Sequence, residues 1–218
     1  MVRLRPIALT VAVAAICLAV AALAYTTLKP TPADGAGATG TRPAVLAHGG
    51  GGGPVAAYNK WKWFKNTYWI VPQNGIYSVA QSGANKFNVI RGQTVFHITD
   101  YFNGYWTGAV TVKLTQALVP ACQYVLGQVT PQGRVYMTMY NADTGDVINN
   151  PVGTMVKKDG EWTMVNEMTS PAEGGTLSHW AYMLQSKRGD RTFQNLPFAH
   201  QSIPEFMSSC PKGPPIRE

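Results

Sequence analysis

Charge is scarce in this chain of 218 residues: Asp, Glu, Lys and Arg together make up 13% of it. So few charged side chains cannot clothe the wide polar faces of a helical bundle. Histidine and cysteine are rarer still, at 4 and 3 residues, and none of them falls in a close-spaced ligand motif. A zinc framework of clustered Cys and His is thereby excluded. The motifs G-x-S-x-G and H-E-x-x-H are also missing, which removes the hydrolase elbow and the zinc-protease helix. Gly49–Gly53 is a glycine run, but Pro54-Val55 follows it where a phosphate loop needs Lys-Ser/Thr. The basic surplus is small: +7 overall, and +5 once Arg3 and Arg5 of the leading segment are set aside. It is scattered apart from Lys60, Lys62 and Lys65, so no nucleic-acid footprint is expected.

What is plentiful is Gly (22), Pro (15) and aromatics (11%), the composition of an all-β fold with many turns. Ahead of it, Arg3 and Arg5 precede Ile7 to Ala24, which is uncharged and rich in Ala, Val and Leu. Residues 1–28 therefore read as a signal peptide or a single transmembrane anchor, an apolar helix in either case. Ala22-Leu23-Ala24 offers a small-x-small cleavage site, while the length of the run and the tether behind it favour an anchor. Both alternatives export the remainder of the chain. Cys17 lies inside the run behind Ile16, the wrong context for a lipid-modified cysteine. Residues 29–57 form a Gly/Pro/Ala linker. In an exported domain Cys122 and Cys210 are expected to form a disulfide.

The chain from 58 to 187 is organised around one hairpin. Gln93 to Phe102 and Tyr105 to Leu114 are rich in Val, Ile, Thr and aromatics, and Asn103-Gly104 between them suits a type I′ turn. Strict pairing from that turn puts Tyr101 opposite Trp106, His97 opposite Val110 and Val95 opposite Val112, all on one face taken as inward. Thr67 to Val71 and Ile76 to Ala80 read as strands around a turn at Pro72–Gly75, with Gln81 to Arg91 as a loop. Later pairs meet at Pro131-Gln132-Gly133 and at Asp159-Gly160, and Leu177 to Lys187 is the last strand. Tyr58 to Phe64 (YNKWKWF) reads as a plug over one end of the sheet, with a lipid-binding aromatic-basic patch as the other reading. The expected fold is an antiparallel up-and-down barrel of about eight strands, with a two-sheet β-sandwich as the alternative. Residues 188–218 form an irregular outer tail.

The same pairing rule places Met137, Met139, Met155, Met164, Met168 and Met183 on inward faces with His97, Tyr101, Trp106 and His179. Three readings of that lining compete: plain core, a cavity for a small apolar ligand, and a soft-metal site for copper. Asp100 falls opposite in parity to His97, and Asp143 and Asp146 belong to a turn, so no acid–base pair is assembled. Glu167 is the one strand carboxylate near the interior, with parity that pairs it with Val152 on the other face. No metal and no cofactor is assigned.

The strand order resembles the lipocalin-like (calycin) barrels over roughly Thr67 to Lys187. That resemblance implies an exported carrier of small apolar molecules. Where those barrels carry Gly-x-Trp this chain has Thr67-Tyr68-Trp69, and the resemblance makes Trp69 a closure of the barrel end. The segments YWIVP, QTVFHI and HWAYM are similar to an uncharacterised exported bacterial family, which implies export and no activity. Together these features point to an exported or membrane-tethered barrel binding an apolar ligand or an envelope partner. A structural or interaction module and a small-barrel isomerase or cyclase are the alternatives.

Overall fold

The computed structural model describes residues 57–72, 75–115, 119–172, 175–210 and 212–217, all within one compact unit, Pro54–Glu218. The apolar run and most of the linker lie outside the described residues. Ten strands follow a short 3₁₀ helix, η1 (Asn59–Phe64): β1 (Thr67–Ile70), β2 (Ile76–Gln81), β3 (Phe87–Phe102), β4 (Tyr105–Leu114) and β5 (Ala121–Val129), then β6 (Arg134–Asn141), β7 (Val147–Asn149), β8 (Val152–Lys158), β9 (Glu161–Ala172) and β10 (Gly175–Ser186).

Every pairing is antiparallel, and the ladder closes on itself through β10, which bonds to β9 on one side and to β1 and β2 on the other. The ring has about eight positions and is not even around one axis, so it lies between a barrel and a sandwich. Closure leaves no long unpaired edge among the described strands. Neither β1 with β2 nor β7 with β8 makes a hairpin. Ile70 pairs with Val95 and Ile76 with Gly92, so β1 and β2 are two halves of one strand running beside β3. The expected turn lies in the break between them, but the chain resumes in the same direction after it.

Gln93 fills that break. Its Nε2 donates to the carbonyls of Val71 (2.9 Å) and Pro197 (2.7 Å), and its Oε1 accepts from the N–H groups of Val71 and Thr94. A fully buried amide with this many partners supplies the hydrogen bonds that the interrupted ladder cannot.

The opening hairpin differs from strict pairing in one place. Tyr101 faces Trp106 and Asp100 faces Thr107, but Ile98 faces Gly108, with Thr99 left over as a β-bulge. Because side chains alternate with period two, the extra residue inverts the face of everything before it. Phe96 and Ile98 point inward, 3% and 0% exposed, and His97 and Val95 point outward. The loop expected at 81–91 is also largely strand, since β3 begins at Phe87 and pairs back to Gln81.

Two cores result. The interior core holds Trp61, Phe64, Trp69, Phe96, Ile98, Trp106, Val110, Val125 and the inward methionines. η1 drives Trp61 and Phe64, both fully buried, into one end of the ring as a plug. The second core lies outside the wall. Phe193 of α1 (Arg191–Gln194), Leu196, and Ile203 and Phe206 of α2 (Ile203–Phe206) pack on Ile70, Val95 and Ala109. The tail is tied down by the Cys122–Cys210 disulfide, with Cα atoms 5.1 Å apart. Thr107 Oγ1 donates to Pro214 O, and Gly213 lies so close against the Gly108 backbone that no Cβ would fit between them.

Candidate functional site

The later hairpins adopt the register read from their turns. Gly127 pairs with Met137, Val125 with Met139, Met155 with Met164 and Gly153 with Asn166. Met137, Met139, Met155, Met164 and Met183 are therefore brought together in the interior, each no more than 6% exposed. Trp106 joins them and lies over Gly127, its ring filling the space that a Cβ would need. Tyr101 sits at the plugged end, its hydroxyl donating to the Tyr58 carbonyl at 2.6 Å and its ring edge-on to Phe64. Burial pushes the Tyr101 phenol pKa up.

Aromatic rings pack together at the η1 end of the interior. Trp61 meets Trp162 at 4.9 Å between ring centroids and Phe64 at 5.7 Å, and Phe64 meets Trp69 and Trp106. Trp69, the residue of the Thr67-Tyr68-Trp69 segment, is fully buried in this cluster. The concavities that flank the tail are outside the ring. One, about 440 Å³ and open, is lined by Lys65, Thr99, Asp100 and 212–215; a smaller one of about 110 Å³ lies between Gln93, Leu114 and Phe206.

His97 does not line the interior. The bulge at Thr99 turns it under the tail, where it stacks on Tyr68 with centroids 4.1 Å apart. Burial, and then the Lys212 ammonium, hold its pKa below the ordinary imidazole value. It cannot meet His179, which is on the inner side of the wall between Met168 and Ser78. His179 is partly buried, and desolvation lowers its pKa as well.

Sequence parity singled out His179 as inward but not Gln123, Asn149 or Asn166 as candidates. Buried polar atoms of Gln123, Asn149, Asn166 and His179 have no protein partner, and Asn166 Nδ2 donates to Met183 Sδ at 3.3 Å. The signal was available in parity, since Asn149 pairs with inward Met139 and Asn166 with Gly153. Glu167, opposite Val152, is exposed. Among the described residues no group of His, Cys, Asp and Glu could hold a metal ion.

The outer wall carries the remaining candidate surface. Tyr77 and Val79 on β2, Phe87 and Val89 on β3 and Trp180 on β10 are 45–66% exposed. Val79 pairs with Val89 and with Ser178, two residues from Trp180, so these side chains share one face. Arg91 covers one edge, its guanidinium 4.9 Å from the Tyr77 ring. Five large apolar side chains on one face exceed the scattered exposure normal for a surface. No family model, curated protein or solved structure matches this chain.

Proposed function

We propose that the domain is an exported, membrane-tethered binding module that engages a protein partner of the cell envelope through the β2–β3–β10 face. The observation that carries this reading is the contrast between the two sides of the wall. The interior buries the plug and the methionines, whereas Trp180, Phe87 and Val89 stand more than half exposed on the outside. A carrier would invert that distribution.

Trp180 is the natural anchor, because a large amphipathic ring within an apolar patch contributes most per residue to an interface. A photoreactive amino acid at position 180, activated in intact host cells, is expected to give one discrete heteromeric adduct. The same group at position 136, where Tyr136 is exposed but outside the patch, gives none. Val89→Asp in the same chain removes the adduct at 180. Self-adducts alone, or equal labelling at 180 and 136, overturn the reading. Native mass spectrometry of protein from its own host supplies the other arm: a retained apolar molecule would restore the carrier.

A further inference from the structure

We infer that the η1 end of the ring rests on anionic lipid headgroups. This rests on the tethering in the proposed function but not on the partner face. The turns at this end are Asn103-Gly104, residues 130–133 and Asp159-Gly160, and η1 packs on the second of them, with Trp61 Nε1 donating to Thr130 O. Lys60, Lys62, Lys65, Arg134, Lys157 and Lys158 are exposed here, and Lys187 and Arg188 follow β10 at the same end. Against them stand Asp100, already paired with Lys65 at 2.8 Å, the turn carboxylates of Asp159 and Glu161, and Asp190, which accepts from the Lys187 N–H. At the opposite end Asp143, Asp146 and Glu167 balance Lys86, Arg91 and Lys113, so the ring's positive excess is concentrated on one pole.

Two further observations name the occupant. Phe102 and Tyr105, 42% and 49% exposed, flank the Asn103-Gly104 tip beside those lysines. Exposed aromatics among lysines suit the boundary between headgroups and acyl chains. The chain also enters the ring at this end: residues 29–57, the linker, join the apolar run Ile7 to Ala24 to η1. Anionic headgroups complement the charge of this pole. Lys60 is preordered for contact, its Nζ donating to Pro131 O while it lies 4.6 Å from the Trp61 ring centroid.

The full chain, reconstituted into vesicles of phosphatidylcholine and into vesicles of equal parts phosphatidylcholine and phosphatidylglycerol, provides the test. Amide hydrogen exchange over residues 58–65 and 102–106 is expected to slow on the anionic vesicles relative to the zwitterionic ones. The slowing is on the order of tenfold, because basic residues held at an anionic surface are attracted to it. Lys62→Ala with Lys158→Ala, both exposed, brings exchange part of the way back to the zwitterionic level, and raised salt brings it the rest of the way. Equal exchange on both vesicles overturns the inference. So does protection confined to residues 77–89 and 180, which would put the apolar face on the bilayer and sink the partner reading instead.

Discussion

Gly127 illustrates how a single position can be decided by its neighbour. The Trp106 indole occupies the volume a side chain would need, so Gly127→Ala must displace a fully buried ring or bend β5. Overpacking of this kind costs about 1–3 kcal/mol, and urea denaturation of Gly127→Ala is expected to show a loss near the top of that range. Gln93 is the polar counterpart. Gln93→Ala strands the backbone groups of Val71 and Thr94 in a buried break of the ladder, at a cost of roughly 3 kcal/mol. The same measurement checks it. The two partly buried histidines make a pH prediction. Both folded pKa values lie below the unfolded value of about 6.5, so the unfolded chain binds more protons as pH falls below that value. Stability is therefore full at neutral pH and declines as pH drops through 6.5. The melting temperature should fall between about pH 7 and pH 5, and His97→Gln together with His179→Gln should flatten that slope.

Elements show where local signals sufficed and where they failed. Asn103-Gly104 has the positive φ at both residues that its turn type requires, and Asp159-Gly160 repeats it. Each turn set the pairing next to it, which is why the methionine positions could be read from sequence. The Thr99 bulge has no such local mark. It lies where the tail crosses the outside of the hairpin: Gly213 presses on Gly108, Thr107 donates to Pro214, and Asp100 accepts from the Ile216 N–H. Residues more than a hundred positions away thus bear on the face that His97 takes. The interruption between β1 and β2 is equally non-local, since the amide that repairs it comes from β3. The tail itself depends on Cys122–Cys210, which spans 88 residues of sequence. Closing so long a loop stabilises by about 2–4 kcal/mol, largely through the unfolded chain. Cys122→Ser with Cys210→Ser should lower stability by that amount. Limited proteolysis should then remove residues beyond 187 first, because the second core is shed while the ring keeps its own plug and ladder. Simultaneous loss of tail and ring would show that the two cores unfold as one.

For the whole molecule, composition determined the fold class and most of the turn chemistry. Few charges, many glycines and prolines, and runs of β-branched and aromatic residues leave little except a multi-stranded antiparallel sheet. Short turns between successive segments then place neighbours in sequence beside each other in space. Parity supplied the interior set, from Met137 to Met183, and composition supplied the cysteine pair. What parity could not supply was the content of the interior. Whether a ring of this size encloses a cavity depends on how far Trp61 and Phe64 penetrate it, and that is fixed by contacts with Trp69, Trp106 and Trp162 from three separate strands. Nor could it separate a basic pole from a scattered surplus of lysines, because Lys60, Arg134 and Lys158 come to one end of the ring only when the strands pair. The sequence alone settled which residues pair across each turn, since turn geometry is local. The tertiary structure decided which side of the wall each strand segment presents and what fills the ring, since bulges, plugs and closure are set by contacts between residues far apart in the chain.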